Sequence, residues 1–320
     1  MEIYIEKGFL DFIYGNDSLK EGRKKVLDFF RNYSDVTIYI DQNFSVEDFK
    51  AGSESSHFFD NPILNDLRRN GSARIISISN SLCDHLFENS NFHQTLVFTL
   101  EDQKWFETAR NKGAMCFSSD TFEDKIEEII NNLHFDYSLN DPFRGWDILA
   151  PYKLLNFNSL NVSDDYILVD SWKQLLKDNI IPLLERLVSK RKERIFINIL
   201  TDFKDNSKTI EYKKKRLYEI YLNLKSAIGN ENVSIKIINR NLNSNYKFHT
   251  RTIVTNFSIL KSDDGFNLVP SKFTDGDLTS KTIFDISGYK KINEIRSKQK
   301  AYIEAILSPE FNTQYFKIIP

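Results

Sequence analysis

The sequence is poor in the residues that mark several common protein classes. Only two of its 320 residues are cysteines, Cys83 and Cys116, and neither stands in a Cys-x-x-Cys or Cys/His spacing. This argues against a disulfide framework and a zinc site, and it is typical of a reducing compartment. The sequence also has no apolar run of the roughly 20 residues that a membrane-spanning helix needs. We therefore expect core or surface roles for both cysteines and no membrane-spanning segment.

Motifs of several enzyme classes are missing as well. The sequence contains no Walker A loop, no Gly-x-Gly-x-x-Gly, no Gly-x-Ser-x-Gly and no His-Glu-x-x-His. Their absence argues against nucleotide hydrolysis, dinucleotide redox chemistry, and esterase or zinc-protease activity. Residues Met1 to Glu6 lead directly into an alternating strand pattern, without the basic and apolar regions of a signal peptide. The expected location is the cytoplasm.

The sequence also lacks a large net charge. It carries 43 Lys and Arg against 45 Asp and Glu, a formal net charge of −2. No global basic field draws such a chain to nucleic acid or to an anionic membrane, so any site for a polyanion has to be local. Two basic clusters offer such a surface, Lys190 to Lys192 with Arg194, and Lys213 to Arg216. Each is either a solvated helix surface or a phosphate-contacting surface, and the sequence leaves both interpretations open.

The sequence does contain enough apolar residues, 41% of the total, for two domains with separate cores. Strand-like and helix-like segments alternate in both halves, which predicts an α/β fold with mainly parallel or mixed sheets flanked by helices. Residues 1–140 are expected to form an N-terminal α/β domain of Rossmann-like or PIN-like type. Asn-Asp-Pro, Arg-Gly-Trp and Ala-Pro break the periodicity in residues 141–162, which we interpret as a connection. Residues 163–320 are expected to form a second α/β domain, opened by a strand at Tyr166 to Val169.

One constellation in the second half combines chemically suitable residues with suitable local structure. Residues Phe248 to Asn256 read Phe-His-Thr-Arg-Thr-Ile-Val-Thr-Asn. His249 and Arg251 stand two apart on an extended segment, so they should point to the same face and can meet one phosphate group. If the two residues carry no chemistry, His249 satisfies a backbone group at the strand edge and Arg251 pairs with a nearby carboxylate.

This segment resembles the signature of the phospholipase D superfamily, which is a His, any residue, a Lys, four residues and an Asp on a strand of an α/β sheet. The resemblance implies that His249 is the nucleophile that attacks phosphorus and that Arg251 clamps the non-bridging oxygens. An arginine suits the clamp because its guanidinium offers a bidentate fork to phosphate oxygens. Asn256 stands where the family has its carboxylate, and a neutral amide cannot supply that charge.

The active family usually brings two such motifs together, whereas this sequence has one. A symmetric homodimer could complete the site, as in single-motif branches of the superfamily. Another branch, the C-terminal domain of certain microtubule-interacting and trafficking proteins, also has a His-x-Arg signature and binds membrane without cleaving phosphodiesters. The resemblance therefore leaves catalysis and binding open.

Carboxylates at predicted strand ends are the main feature of the first half. Glu6, Asp41 and Asp120 each follow a strand-like segment. Ligands of open parallel sheets bind beyond the carboxyl ends of the strands, so these acids could converge on Mg²⁺ or Mn²⁺, as in the PIN-type nucleases that the segment weakly resembles. Alternatively, they are caps and dipole partners at strand-to-helix junctions.

The leading hypothesis is a protein that binds or cleaves nucleic-acid phosphodiesters through its second domain, while the first domain selects the target. The alternative is a non-catalytic scaffold that holds a phosphate-bearing ligand or a membrane headgroup. Nucleic acid and a protein partner or second copy of the chain are the expected partners, and peripheral membrane contact remains open. No cofactor is expected besides a Mg²⁺ in the first domain. By analogy, two-domain architectures of this kind often occur in anti-phage defence.

Overall fold

The computed structural model describes residues 1–15, 20–41, 73–138, 145–165, 167, 172–202, 209–240, 251–263, 266, 277–307 and 317–318. The chain divides into two compact units. The first comprises Met1–Asn131 and Phe284–Ile286, and the second comprises Asn132–Ile283 and Ser287–Pro320. Both units combine helices with a sheet, so the predicted α/β fold class is confirmed. None of the helices in the described ranges is both long and apolar enough to cross a membrane.

The first unit is a parallel sheet with helices between its strands. Its described elements are β1 (Glu2–Ile5), α1 (Lys7–Gly15), α2 (Glu21–Arg31), β2 (Thr37–Ile40), β3 (Arg74–Ser77), α3 (Leu82–Asn89), β4 (Thr95–Thr99), α4 (Phe106–Asn111), β5 (Met115–Ser118) and α5 (Phe122–Leu133). The strand order is β3-β2-β1-β4-β5, with every neighbouring pair parallel. The order reverses direction between β1 and β4, which is the point where doubly wound sheets usually bind ligands.

Both faces of this sheet are packed, as expected for parallel strands with helical crossovers. On one face, the Phe98 ring lies 5.1 Å from that of Phe9 and 5.2 Å from that of Phe117. On the other face, Tyr4 and Cys116 belong to a buried apolar cluster. Burial raises the pKa of the Cys116 thiol to about 12, so it behaves as a small apolar residue. Both cysteines are free thiols.

Helix α2 closely approaches the start of α5. The buried Arg23 donates from Nε to Glu123 Oε1 at 2.9 Å, and its guanidinium carbon lies 5.2 Å from the centre of the Phe12 ring. A Cβ atom on Gly22 would stand 2.5 Å from the backbone oxygen of Glu123. The two backbones can therefore come this close only because residue 22 has no side chain.

Replacing Gly22 by alanine is expected to lower the free energy of unfolding by about 1–3 kcal/mol, the usual cost of overpacking. The clash is with backbone, which cannot rotate away as a side chain can. Gly15→Ala is the matched control, because a Cβ there would meet nothing within 4 Å. The measurement is chemical denaturation of the two variants, and equal stability would contradict the close approach.

The second unit contains a mixed sheet. Its described elements are β6 (Phe135–Ser138), a 3₁₀ helix (Trp146–Leu154), β7 (Ser159–Ser163), α6 (Trp172–Leu175), a π-helical turn (Leu176–Ile180), α7 (Ile181–Val188), β8 (Ile195–Asp202), α8 (Ile210–Ile228), β9 (Val233–Arg240), β10 (Arg251–Thr255), β11 (Ser258–Ser262), β12 (Asp277–Thr282), α9 (Ile286–Leu307) and β13 (Lys317–Ile318). The strand order is β13-β9-β8-β7-β10-β11-β12-β6. Strands β7, β8 and β9 are parallel to each other, whereas β10 to β12, β6 and β13 pair antiparallel.

The second unit begins earlier in the chain than the sequence indicated. Residues 141–162, interpreted above as a connection, contribute the 3₁₀ helix and most of β7 to it. Within the segment Tyr166 to Val169, predicted as the opening strand, Ile167 lies in a turn and the other residues lie outside the described part. Asn and Ser favour turns, and they hide the alternation of β7, which places Leu160 and Val162 on one buried face.

Candidate functional site

The described residues of the predicted phosphate site lie at one end of the second sheet, which we call its carboxyl edge. Strands β7, β8 and β9 end at this edge, and the antiparallel β10 begins there with Arg251. Thr252 and Ile253 lie in the strand, as the alternation predicted. His249 lies outside the described residues, so its position relative to Arg251 stays a prediction. The carboxyl edge of parallel strands is also the usual place for ligands in α/β sheets.

Arg251 is partly exposed at this edge. It pairs with Ser262 of β11, and its Nη1 donates to the backbone oxygen of Asp263. The Asp263 carboxylate itself pairs with Lys261 across 2.6 Å. Arg251 is thus oriented by a main-chain acceptor.

Two polar residues share the sheet face of Arg251 at this edge. Asp164 follows β7, is 4% exposed, and accepts the backbone N–H of Phe266 at 3.1 Å. Thr201 lies on β8, and its hydroxyl is buried without a hydrogen bond to the described part of the chain. An unsatisfied buried hydroxyl is costly in an apolar core, and this one lies where the strands reach the polar end of the sheet. Neither residue was predicted from the sequence: Asp164 follows the largely polar β7, whereas Thr201 follows the apolar run of β8.

Asn256 has a structural position. It is 0% exposed, and its Oδ1 accepts the backbone N–H groups of Asn158 at 3.1 Å and of Ser159 at 2.9 Å. Its Nδ2 donates to Asn158 Oδ1 at 2.9 Å. The backbone oxygen of Asn256 accepts a bond from Arg296, whose pKa burial lowers to about 10. The side chain therefore fastens the start of β7 to the turn between β10 and β11, and it is enclosed away from solvent.

The three predicted metal ligands lie at one edge of the first sheet, but each has a different environment. Glu6 Oε2 accepts the backbone N–H of Leu100 at 2.6 Å, just beyond β4. Asp41 Oδ1 accepts the N–H of Lys7, the first residue of α1, at 2.7 Å. Asp120 is exposed in the turn after β5, which is two strands from β1 and hence about 10 Å away.

Asp41 thus caps the start of α1, as the alternative interpretation predicted, whereas Glu6 accepts an amide of the loop after β4. In the described ranges, no group of three or more His, Cys, Asp or Glu residues is placed to hold a metal ion. A Mg²⁺ bound by these acids stays a prediction.

The first basic cluster contains one residue whose side chain is only 10% exposed. Arg191 donates to three backbone oxygens, those of Tyr152, Leu155 and Leu187, at 2.5, 2.7 and 2.5 Å. It also lies 3.0 Å from the carboxylate of Glu193, which is itself buried. Burial lowers the pKa of Arg191. This arginine holds the second unit together, whereas Lys190, Lys192 and Arg194 are exposed.

The second basic cluster is divided in the same way. It lies on α8, where Lys214 and Lys215 are exposed and Lys213 is partly exposed. Arg216 is 5% exposed. This cluster of basic residues thus combines solvated side chains with a buried one, and the sequence alone does not show which residue is buried.

No protein-family model matches the chain, and no curated protein matches it.

Proposed function

We propose that the second unit binds the phosphate groups of a nucleic acid at the edge marked by Arg251, and that it holds this ligand without cleaving it. The observation that carries the proposal is the enclosed position of Asn256. The chemistry implied by the resemblance needs a charged group at this place in the motif. The neutral side chain there is instead used in three hydrogen bonds with the start of β7.

The position of Arg251 supports the binding part of the proposal. Guanidinium groups bind phosphate through two parallel hydrogen bonds, which fix orientation as well as charge. Arg251 stands at the carboxyl ends of three parallel strands. Its bond to the Asp263 backbone oxygen already restricts the side chain, so less conformational entropy is lost when a ligand binds. The buried hydroxyl of Thr201 lies on the same face. A membrane headgroup is the other source of a phosphate, and the test below separates the two.

Replacing Arg251 by alanine is expected to weaken binding of a labelled oligonucleotide by about 1–3 kcal/mol, the scale of a lost charge-assisted hydrogen bond. Fluorescence anisotropy at fixed salt measures the effect, because phosphate contacts weaken steeply as salt rises. Arg186→Ala is the control, since Arg186 is an exposed cation of the same unit that pairs with Asp147. Denaturation curves confirm that the Arg251 variant is folded despite the lost bond to Asp263.

Two results would contradict the proposal. If wild type binds phosphatidylserine vesicles through Arg251 but no oligonucleotide, the ligand is a membrane headgroup. If wild type cleaves the oligonucleotide and His249→Ala abolishes cleavage while affinity is retained, the site is catalytic, because a nucleophile contributes mainly in the transition state. The cytoplasmic location and the role in anti-phage defence stay predictions.

A further inference from the structure

The parallel strands of the second sheet have one polar, partly open face. We call it the outer face of β7–β9. Its members are Ser159 and Asn161 on β7, Arg194, Phe196 and Asn198 on and just before β8, and Ser234 and Lys236 on β9. Asn161 is 9% exposed, and the other six are partly or fully exposed. On the opposite face, the intervening residues Ile195, Ile197, Ile199, Val233, Ile235 and Ile237 are buried.

An open face is unusual for parallel strands, which are normally covered on both sides. The same face is covered toward the carboxyl ends of these strands, where Ser163, Leu200 and Ile238 are buried. Gln299 of α9 donates to the Ser163 hydroxyl at 3.0 Å, which places that helix over this end of the sheet. Within the described part of the chain, the amino-terminal half of the outer face is left uncovered, and its polar residues are suited to contact with a ligand.

The open half combines an aromatic ring, amides and cations. The Phe196 side chain is 48% exposed, and the Arg194 guanidinium carbon lies 5.4 Å from its ring centre. Next to the ring, Asn198 Nδ2 donates to Asn161 Oδ1 at 2.8 Å, so the two amides lie side by side across the strands. A large apolar ring in water is unfavourable, whereas a ring beside amides and a guanidinium offers a stacking platform with hydrogen-bonding groups around it.

The charge of this face selects among possible partners. Its seven residues include two cations, Arg194 and Lys236, and no carboxylate. The exposed Lys192 lies two residues before Arg194, and Glu193 between them is buried against Arg191. A second copy of the chain would bring the same cations against each other across a two-fold axis, which is unfavourable. A polyanion is the complementary partner.

We propose that the outer face of β7–β9 binds single-stranded nucleic acid. A base stacks on Phe196, Arg194 contacts a phosphate, and the Asn161–Asn198 pair lies within reach of base edges. Exposed rings on a sheet bind single strands in this way because every base has an apolar face, whereas in a duplex those faces are stacked inside. The proposal is independent of Arg251, which lies at the carboxyl edge of the sheet and on its other face.

The test uses the full chain and a labelled oligothymidylate. Phe196→Ala is expected to weaken binding by about 5- to 150-fold, the effect of losing one stacked base. Phe196→Trp should keep the affinity of wild type, because it keeps the platform. Arg194→Ala should reduce the slope of log K against log salt by about 0.7, the value for one phosphate of a single strand. Tyr212→Ala is the control, since Tyr212 is a 43% exposed aromatic residue on α8.

The same measurements are run with oligouridylate, with a duplex of the same length and with an acidic peptide. Oligouridylate should show the same loss with Phe196→Ala, since stacking does not depend on the sugar. A duplex or peptide that binds as tightly as the single strand and is equally sensitive to Phe196→Ala would overturn the proposal. So would unchanged affinity in both the Phe196→Ala and Arg194→Ala variants. Arg251→Ala, measured in parallel, reports on the phosphate site alone, so the two proposals can fail separately.

Discussion

Replacing Arg191 by methionine is expected to lower the free energy of unfolding by about 3–5 kcal/mol, the cost of breaking a buried ion pair on one side. Methionine retains much of the length of the side chain but none of its donors. Three backbone oxygens and the Glu193 carboxylate would then be left in a buried environment without their partner. Chemical denaturation of the full chain measures the loss.

The neighbouring residue provides the control. Lys190→Met changes an exposed residue of the same basic cluster and should alter stability by no more than about 0.5 kcal/mol. Adding Glu193→Gln to Arg191→Met should restore part of the stability, because it removes the uncompensated charge but leaves the three backbone oxygens unpaired. If Arg191→Met and Lys190→Met were equally stable, Arg191 would not have the structural role that its contacts indicate.

Replacing Asn256 by aspartate introduces the residue that the phospholipase D signature has at this position. We expect the substitution to destabilise the protein without producing cleavage. The new carboxylate could not donate to Asn158 Oδ1, and it would carry a charge at a position that is 0% exposed. The expected cost is about 3 kcal/mol or more, which combines a lost bond with the burial of charge.

Asn232→Asp is the matched control, because Asn232 is exposed in the same unit. It should change stability by no more than about 0.5 kcal/mol. Denaturation curves and a cleavage assay on an oligonucleotide are measured for both variants. An Asn256→Asp variant that is as stable as wild type and gains cleavage would show that this position belongs to an active site and not to the sheet.

Strands and helices with strong periodicity could be predicted from the sequence. The apolar alternation of β8 and β9 was sufficient to place these two strands. The charged helix predicted from about Thr209 to Ile228 corresponds to α8, and the structure adds that Thr209 caps it by accepting the N–H of Tyr212 at 3.3 Å. Helices α1 and α3 were missed because each is short and begins within a few residues of a strand. The sequence also predicts a helix from Asn61 to Asn70, which lies outside the described residues.

The candidate site was harder to predict, because residues of the same type occupy different environments in the fold. Arg191 and Arg194 stand three apart in one basic cluster, yet one is enclosed by carbonyls and the other lies beside an exposed ring. Asn256 matched a signature position, but its environment is set by β7, almost a hundred residues earlier in the chain. The outer face of β7–β9 did have a local signal, the alternation Arg-Ile-Phe-Ile-Asn-Ile from Arg194 to Ile199. That alternation is typical of a strand with one open face.

The bond between Glu6 and Leu100 has a consequence for the first unit. It occupies a main-chain donor at the point where the strand order reverses, and it uses an oxygen of the carboxylate that was predicted to bind a cation. An anion that approached this amide would have to displace the carboxylate first, so its apparent dissociation constant would exceed the intrinsic one by the reciprocal of the fraction of molecules in which the bond is open. A cation could instead use the second carboxylate oxygen while the bond to Leu100 stays in place.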